Sequence, residues 1–240
     1  MELSGSTALV TGSTSGIGRE VALQLARAGA EVIVSGRSEE RGAETVAAIE
    51  AEGGKARFVA VDLADLDSVG RLAEAAADVD VLVNNAGVFE FAPTGEQTVP
   101  SYDAMFQVNV RAPYFLTASI APRMVERGRG SIVNISTMAS EIGLAGASVY
   151  SATKAAVNSL TRTWAAEFGE SGVRVNTVSP GPTLTSGASV EMVGPLGETT
   201  LLRRHAGVEE IAGAVVFLAS PRAGYVTGAN LPVDGGRLVA

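Results

Sequence analysis

The stretch Ala8-Leu9-Val10-Thr11-Gly12-Ser13-Thr14-Ser15-Gly16-Ile17-Gly18 decides the fold, because it joins a short apolar run to a glycine-rich turn. The apolar run predicts a buried strand, and the residues after the turn have the periodicity of a helix. Glycines allow the backbone to turn tightly and to approach a pyrophosphate, whose charge would lie at the positive N-terminus of that helix. The spacing is G-x-x-x-G-x-G rather than the usual G-x-G-x-x-G. The prediction that this turn binds a pyrophosphate therefore depends mainly on its position between a strand and a helix.

The same alternation of apolar run and helical segment continues along the chain. Five further runs rich in β-branched residues predict buried strands: Val32-Ile33-Val34, Phe58-Val59-Ala60-Val61, Val81-Leu82-Val83, Ile132-Val133-Asn134-Ile135 and Val173-Arg174-Val175-Asn176-Thr177-Val178. Helical patterns fall near residues 17–28, 38–52, 65–77, 101–127, 149–169 and 207–219. This order predicts an α/β protein with a doubly wound parallel sheet, the Rossmann fold, in three layers α/β/α.

Length and apolar content indicate one domain. The chain has 240 residues, of which 46% are hydrophobic, so residues 1–240 are expected to form a single nucleotide-binding domain around one core. The least regular segment, about 182–206, contains several glycines and a proline. A long segment of this kind is typical of a lid or a disordered loop.

Charge and composition argue against several classes of function. The net charge is −8 and no basic cluster offsets it, so nucleic acid and anionic membranes are not expected partners. The absence of cysteine excludes disulfides and thiolate catalysis, and it is compatible with a reducing cytoplasm. No signal peptide or membrane-spanning apolar run is recognisable, so the protein is expected to be cytoplasmic.

Arg37 follows the second predicted strand, about twenty residues beyond the glycine turn. NAD-binding proteins place an acidic residue there to bind the ribose 2′-hydroxyl, whereas this chain has Ser35-Gly36-Arg37-Ser38. A guanidinium can bind a 2′-phosphate through two parallel hydrogen bonds, which favours NADP(H) over NAD(H). The alternative is that Arg37 is an exposed residue before a helix capped by Ser38.

Tyr150 and Lys154 form a second informative pattern. Four residues apart on a predicted helix, they lie on the same face. An ammonium beside a phenol favours the phenolate and would lower the phenol pKa from its usual value near 10. The pair therefore predicts a tyrosine that exchanges protons near neutral pH, with a surface tyrosine beside a lysine as the alternative.

His205 is the only histidine and lies outside these motifs, just before the last predicted helix. A solvent-facing or helix-capping role is expected for it rather than acid-base catalysis. One histidine, no cysteine and no clustered carboxylates predict no metal site.

Taken in order, four motifs resemble the short-chain dehydrogenase/reductase family: Thr11-Gly12-x-x-x-Gly16-Ile17-Gly18, Asn84-Asn85-Ala86-Gly87, Tyr150-x-x-x-Lys154 and Pro180-Gly181. The resemblance covers nearly the whole chain, because residues 226–236 resemble the family's C-terminal strand signature. The length is similar to that of 3-oxoacyl carrier-protein reductases.

The resemblance implies a set of cofactor-binding residues. Gly12, Gly16 and Gly18 would form the pyrophosphate turn, with hydroxyls from Ser13 and Ser15 and the amide of Ile17. The adenosine would be bound by Asp62 and Leu63 and by Asn85, Ala86 and Gly87. The nicotinamide side would be bound by Tyr150, Lys154, Pro180, Gly181, Thr183 and Thr185.

It also implies four catalytic residues. Tyr150 would be the general acid or base, Lys154 would lower its pKa and bind the nicotinamide ribose, and Asn109 would hold a water in a proton relay. The family's substrate-binding serine stands thirteen residues before the tyrosine, which is Thr137 here. Neighbouring side chains on a strand point to opposite faces, so only one of the two hydroxyls is expected to reach the site. The family spacing favours Thr137, and Ser136 remains the alternative if the strand end is bulged.

The predicted function is NADP(H)-dependent interconversion of a ketone or aldehyde, possibly a 3-oxoacyl group, and a secondary alcohol, by a homotetramer. Three alternatives are open: a nucleotide-binding regulator without turnover, an NAD-preferring alcohol or sugar dehydrogenase of the same family, and an isomerase or epimerase that recycles its cofactor.

Overall fold

A seven-stranded parallel sheet lies between two layers of helices in the computed structural model, which describes residues 2–240. The strands are β1 (Thr7–Val10), β2 (Glu31–Gly36), β3 (Lys55–Ala60), β4 (Val81–Asn84), β5 (Gly130–Ile135), β6 (Val173–Pro180) and β7 (Asn230–Val233). Their order across the sheet is β3-β2-β1-β4-β5-β6-β7. The order reverses between β1 and β4, which is where a doubly wound sheet opens a crevice at the carboxyl ends of its strands.

The helices are α1 (Gly16–Arg27), α2 (Glu39–Ala51), α3 (Leu66–Ala75), α4 (Val99–Phe106), α5 (Ala112–Arg127), α6 (Ser148–Phe168), α7 (Val190–Gly197) and α8 (Val208–Ala219). Side chains of β1 alternate between the two helical layers: Val10 packs in the cluster with α1 and α8, and Leu9 in the cluster with α3 and α5. Because both faces are covered, the strands are continuous apolar runs. The predicted doubly wound Rossmann fold is confirmed.

Two helical regions differ from the sequence prediction. The segment predicted as one helix over 101–127 is α4, a π-helical turn at Gln107–Arg111, and α5. The irregular region 182–206 contains the short helix α7, which buries Val193 although Pro195 and two glycines obscure its helical pattern. The other five predicted helices lie within two residues of their predicted bounds.

The carboxyl ends of the strands bring the predicted motifs to one edge of the sheet. The glycine turn follows β1, Arg37 follows β2, Asn85 follows β4, Thr137 follows β5, and Gly181 follows β6. Motifs separated by more than a hundred residues therefore surround a single crevice. Among residues 2–240, no helix has the length and hydropathy needed to cross a bilayer.

Candidate active site

A cavity of about 800 Å³ lies over the glycine turn at the switch point of the sheet. Twelve of the predicted cofactor-binding residues line it: Gly12, Ser15, Gly16, Ile17, Gly18, Arg37, Asp62, Leu63, Asn85, Ala86, Gly87 and Thr185. The size suits a large ligand, and the lining places a helix N-terminus beside the deepest glycines.

Close backbone packing explains why glycine occupies this turn. A Cβ atom on Gly18 would overlap the carbonyl oxygen of Gly12 and the side-chain amide of Asn85. Gly12 has φ +65°, a left-handed conformation, and a Cβ there would lie 2.9 Å from the Cα of Ala86. Positions 12 and 18 of this turn therefore accommodate only glycine.

Thr11 joins the glycine turn to the segment after β4, a role that sequence analysis did not assign. Its hydroxyl oxygen accepts hydrogen bonds from the backbone amides of Asn85 (3.0 Å) and Ala86 (3.1 Å). The Asn85 side-chain amide donates in return to the carbonyl of Thr11 at 2.8 Å. These bonds hold two walls of the cavity in a fixed relation.

Ser13 is placed differently from the prediction that its hydroxyl faces the pyrophosphate. The side chain is fully buried, donating to the carbonyl of Val10 at 2.7 Å and accepting from the amide of Ser35 at 2.9 Å. Ser13 is not among the cavity-lining residues. Its hydroxyl joins β1 to β2, because a buried hydroxyl at this position needs partners from the neighbouring backbone.

The far end of the cavity is cationic. Arg37 and Arg41 both line it, beside Thr14 and Gly36. A Cβ on Gly36 would lie 2.8 Å from the Thr14 side chain, so glycine leaves room for Thr14 over the strand end. Neither arginine takes part in an ion pair within residues 2–240. Ser38 accepts from the Arg41 amide at 3.3 Å as the cap of α2, and Arg37 is exposed just before it, so the helix-start alternative also describes this segment.

A second cavity of about 240 Å³ adjoins the first and contains the predicted proton-transfer residues. Thr137, Tyr150, Lys154, Pro180, Gly181 and Thr183 line it. Ile17, Asn85, Gly87, Phe89 and Thr185 line both cavities, so the two spaces share a wall. A ligand extended from the first cavity would end beside Tyr150.

The pKa of Tyr150 is raised to about 12, chiefly by burial of the phenol, while hydrogen bonding with Thr137 opposes part of this shift. The sequence predicted the opposite direction, because it placed the Lys154 ammonium beside the phenol. Lys154 is only 4% exposed, and its Nζ donates to the Ile135 carbonyl at 2.8 Å. Burial lowers the pKa of Lys154 to about 8. At neutral pH the phenol of Tyr150 is therefore protonated.

The structure places Thr137 and Ser136 in different surroundings. Thr137 faces the phenol of Tyr150, and its hydroxyl also accepts from the Ala139 amide at 3.3 Å. Ser136 is buried and donates to the carbonyl of Lys154 at 3.2 Å, which ties the end of β5 to α6. Both residues follow the end of β5 at Ile135 and both line the second cavity, but their hydroxyls have different hydrogen-bond partners.

The resemblance implies that Thr137 binds the reacting oxygen. On that expectation, Thr137→Ala should lower kcat by about tenfold or more, because one hydrogen bond to that oxygen is lost. Ser136→Ala is the matched control, because it removes a neighbouring hydroxyl that is bonded to the backbone of α6. It should reduce thermal stability more than kcat. Steady-state kinetics and melting curves of both variants would test this, and a larger loss of kcat in Ser136→Ala would assign the role to Ser136.

Asn109 lies in the π-helical turn between α4 and α5 and is buried. Its side-chain oxygen accepts from the Val88 amide and its nitrogen donates to the Val88 carbonyl, both at 2.8 Å. The nitrogen also donates to Thr153 at 3.1 Å, which connects the turn to α6. Asn109 therefore clamps the segment after β4 against the helix of Tyr150, and the water relay expected from the resemblance stays a prediction.

His205 lies outside both cavities, and its Nδ1 is 3.3 Å from the Ala206 carbonyl oxygen. Within residues 2–240, no three acidic or histidine side chains are grouped so as to hold a metal ion.

Several cavity residues were missed by sequence analysis. Arg41 lies in the first turn of α2, four residues after Arg37, so a second arginine close to the end of β2 was an available signal. Phe89 and Phe91 alternate in an irregular segment, where periodicity carries little information. Their ring centroids both lie 6.1 Å from that of Tyr150.

Fold and site together define a class, that of dinucleotide-binding α/β proteins with a tyrosine-lysine pair beside the nucleotide cavity. Residues 12–237 match the family model described as enoyl-(acyl carrier protein) reductase. Gluconate 5-dehydrogenase of Gluconobacter oxydans (strain 621H) is 39% identical over 99% of this chain and 96% of its own. The chain belongs to the short-chain dehydrogenase/reductase family of oxidoreductases.

Solved structures of related proteins have the same fold over the whole chain. A short chain dehydrogenase/reductase family protein is 57% identical, with a TM-score of 0.96 and full coverage of both chains. A blue fluorescent protein from a metagenomic library, solved in complex with NADPH, is 38% identical, with a TM-score of 0.95 and full coverage of both chains.

Proposed function

We propose that this protein is an NADP(H)-dependent oxidoreductase that interconverts a ketone or aldehyde, including the 3-oxoacyl type, and a secondary alcohol. One observation carries the proposal: the cavity of Tyr150, Thr137 and Lys154 shares a wall with the glycine-turn cavity. The tightly packed turn, the α1 N-terminus and the two arginines suit a phosphorylated dinucleotide. The relative solved with NADPH supports this cofactor.

Three residues of the second cavity have separate roles in the proposed reaction. When bound, the nicotinamide supplies or accepts the hydride. Thr137 holds the substrate oxygen, and Tyr150 donates its phenolic proton to that oxygen in the reducing direction. The raised pKa of Tyr150 keeps this proton in place at neutral pH. Lys154 lies near Gly87 and Asn109, where its ammonium would bind the ribose hydroxyls of the cofactor.

The test is loss of nicotinamide absorbance when the purified protein is mixed with NADPH and ketones or aldehydes. Net oxidation of NADPH with formation of an alcohol is expected. Saturable NADPH binding without turnover would favour the regulator, and altered substrate with no net oxidation would favour the isomerase or epimerase.

The preference for NADP(H) over NAD(H) rests on Arg37 and Arg41. Both guanidinium groups border the cavity without ion-pair partners, although Glu39 and Glu40 occupy the first turn of α2. A 2′-phosphate there would be held by charge-assisted hydrogen bonds. An acidic side chain at position 37 would instead accept from a 2′-hydroxyl.

Arg37→Asp is expected to raise the Kd for NADPH by about tenfold or more and to improve relative binding of NADH. Arg71→Asp makes the same charge change on α3, outside both cavities, and serves as the control. Parallel fluorescence titrations with NADPH and NADH at fixed ionic strength would give the ratio of the two Kd values for each variant. If the ratio of the Kd for NADPH to the Kd for NADH were the same in Arg37→Asp and Arg71→Asp, Arg37 would have no part in the phosphate site.

We also propose a homotetramer that uses the surface of α4, α5 and α6. Tyr114 and Phe115 are exposed there, beside a groove that includes Val110 and Leu160. Trp164 of α6 is buried in the core and takes no part in this surface. Sedimentation velocity should give about four times the mass of one chain, and a monomer would contradict the assembly.

A further inference from the structure

We propose that the substrate of this site is an uncharged carbonyl compound with a hydrocarbon chain or ring next to the carbonyl, and that Phe89 and Phe91 select it. The inference rests on the proposed carbonyl-alcohol chemistry and specifies its substrate class. It departs from the sugar acid that appears in the name of the Gluconobacter relative.

Two neighbouring phenyl rings lie beside the phenol of Tyr150. Phe89 and Phe91 both meet Tyr150 edge-on, at interplanar angles of 63° and 85°, and their own centroids are 5.6 Å apart. Both side chains are nearly half exposed, at 45% and 47%. Removing an exposed phenyl ring from water is favourable. A hydrocarbon group next to the reacting carbonyl would bury both rings and would gain binding free energy.

The opposite wall of the cavity is also apolar. Residues of the β5–α6 connection and of α7 form it, namely Met138, Leu144, Met192, Val193 and Leu196. Met192 lines the same cavity and is 45% exposed. Apolar groups on both sides of Tyr150 leave a hydrocarbon-lined slot leading to the phenol.

Polar groups on the cavity wall are already engaged with the protein. The hydroxyl of Thr183 donates to the Gly181 carbonyl at 3.0 Å, and that of Thr185 accepts from the Gly187 amide at 3.2 Å. Ser136 donates to the Lys154 carbonyl. Thr137 faces Tyr150 and is needed for the reacting oxygen. These bonds reduce the number of donor and acceptor positions open to a ligand, and a sugar hydroxyl that lost water without gaining a partner would weaken binding.

Charge leads to the same conclusion. Among the described residues that line this cavity, Lys154 is the only charged one, and its ammonium is bonded to the Ile135 carbonyl. The two remaining N–H donors of Lys154 are proposed to bind the ribose hydroxyls of the cofactor, so the lining of this cavity offers no second cation to a substrate carboxylate. The acidic side chains of Glu90 and Glu141 lie in the two segments that bear the apolar wall, and both are bonded to neighbouring protein groups. An anionic sugar acid is therefore disfavoured.

The test is a series of methyl ketones from propanone to heptan-2-one, assayed with NADPH beside 5-ketogluconate and xylulose. The expected result is a rise in kcat/KM of about fourfold per methylene group until the slot is filled. The two sugars should react at least a hundredfold less well than heptan-2-one. A kcat/KM that is independent of chain length, or a preference for either sugar, would overturn the proposal.

Phe91→Ala identifies the selecting side chain, because Phe91 lines the second cavity and not the first. The variant should lower the ratio of kcat/KM for heptan-2-one to that for propanone by about tenfold, mainly through KM. Leu66→Ala removes a partly exposed apolar side chain from α3, outside both cavities, and should leave the ratio within twofold of the parent protein. An unchanged ratio in Phe91→Ala would remove Phe91 from substrate selection.

The outcomes separate this inference from the function on which it rests. Turnover of keto sugars alone would overturn the substrate class and leave the oxidoreductase proposal standing. Saturable NADPH binding with no reduction of any ketone or sugar, and no oxidation of the matching alcohols, would overturn both.

Discussion

Tyr150→Phe is expected to lower kcat for carbonyl reduction by about 10²- to 10⁴-fold, the usual contribution of a general acid. The substitution removes one oxygen atom and keeps the ring, which packs against Phe89 and Phe91 at 6.1 Å. The Kd for NADPH should change by less than about threefold, because the glycine turn and the arginines remain. Rapid-mixing and steady-state kinetics would measure both quantities.

Tyr225→Phe is the matched control for Tyr150→Phe. The side chain of Tyr225 is fully exposed and lies outside both cavities, so its hydroxyl should be dispensable. Turnover of Tyr150→Phe at the rate of Tyr225→Phe would show that the proton comes from another group. Equal losses of turnover and of NADPH affinity would instead indicate a damaged cofactor site.

Lys154→Met is expected to lower kcat/KM by about 10²-fold or more while changing stability in a pH-dependent way. Burial lowers the pKa of Lys154 from 10.5 to about 8 in the folded protein. Between these two pH values the unfolded chain binds more protons than the folded one, so the free energy of unfolding contributed by Lys154 rises with pH. The cost of burying the charged lysine is fully present below pH 8 and diminishes towards pH 10.5.

The difference in unfolding free energy between Lys154→Met and the parent protein should therefore change by up to about 3 kcal/mol over this pH range, in favour of the parent as pH rises. Denaturant titrations at several pH values would measure it. Lys55→Met is the control, because Lys55 is the only other lysine of the chain and is exposed at the start of β3. A pH-independent difference for Lys154→Met would contradict burial as the cause of the shift.

Much of the fold, and many of the residues that line the two cavities, could be predicted because both depend on local patterns. Buried parallel strands are apolar runs, a turn between strand and helix needs glycine where backbone atoms meet, and parallel strands bring their carboxyl ends together. The close contact of Gly18 with Gly12 and Asn85 is the physical form of the glycine spacing. The choice of Thr137 over Ser136 followed from the spacing to Tyr150 and stays a prediction, because both residues line the second cavity although their hydroxyls have different partners.

Properties that depend on several segments could not be predicted in this way. The helix α7 was missed because its burial comes from the rest of the fold rather than from its own pattern. Ser13 has a hydroxyl suited to a phosphate, yet its partners are the backbone atoms of β1 and β2. The spacing of Tyr150 and Lys154 predicts that they share a helix face, but it contains no information about the Ile135 carbonyl that binds the lysine ammonium.

By itself, the sequence determined the doubly wound sheet, the position of the glycine turn, and the tyrosine-lysine pair, since each depends on residues close together in the chain. Only the tertiary structure decided the direction of the Tyr150 pKa and the lining of the second cavity. Both depend on which distant groups surround the phenol: burial raises its pKa to about 12, and Phe89 and Phe91 occupy the space beside it. Desolvation and packing arise from the assembled fold, so spacing along the chain cannot specify them.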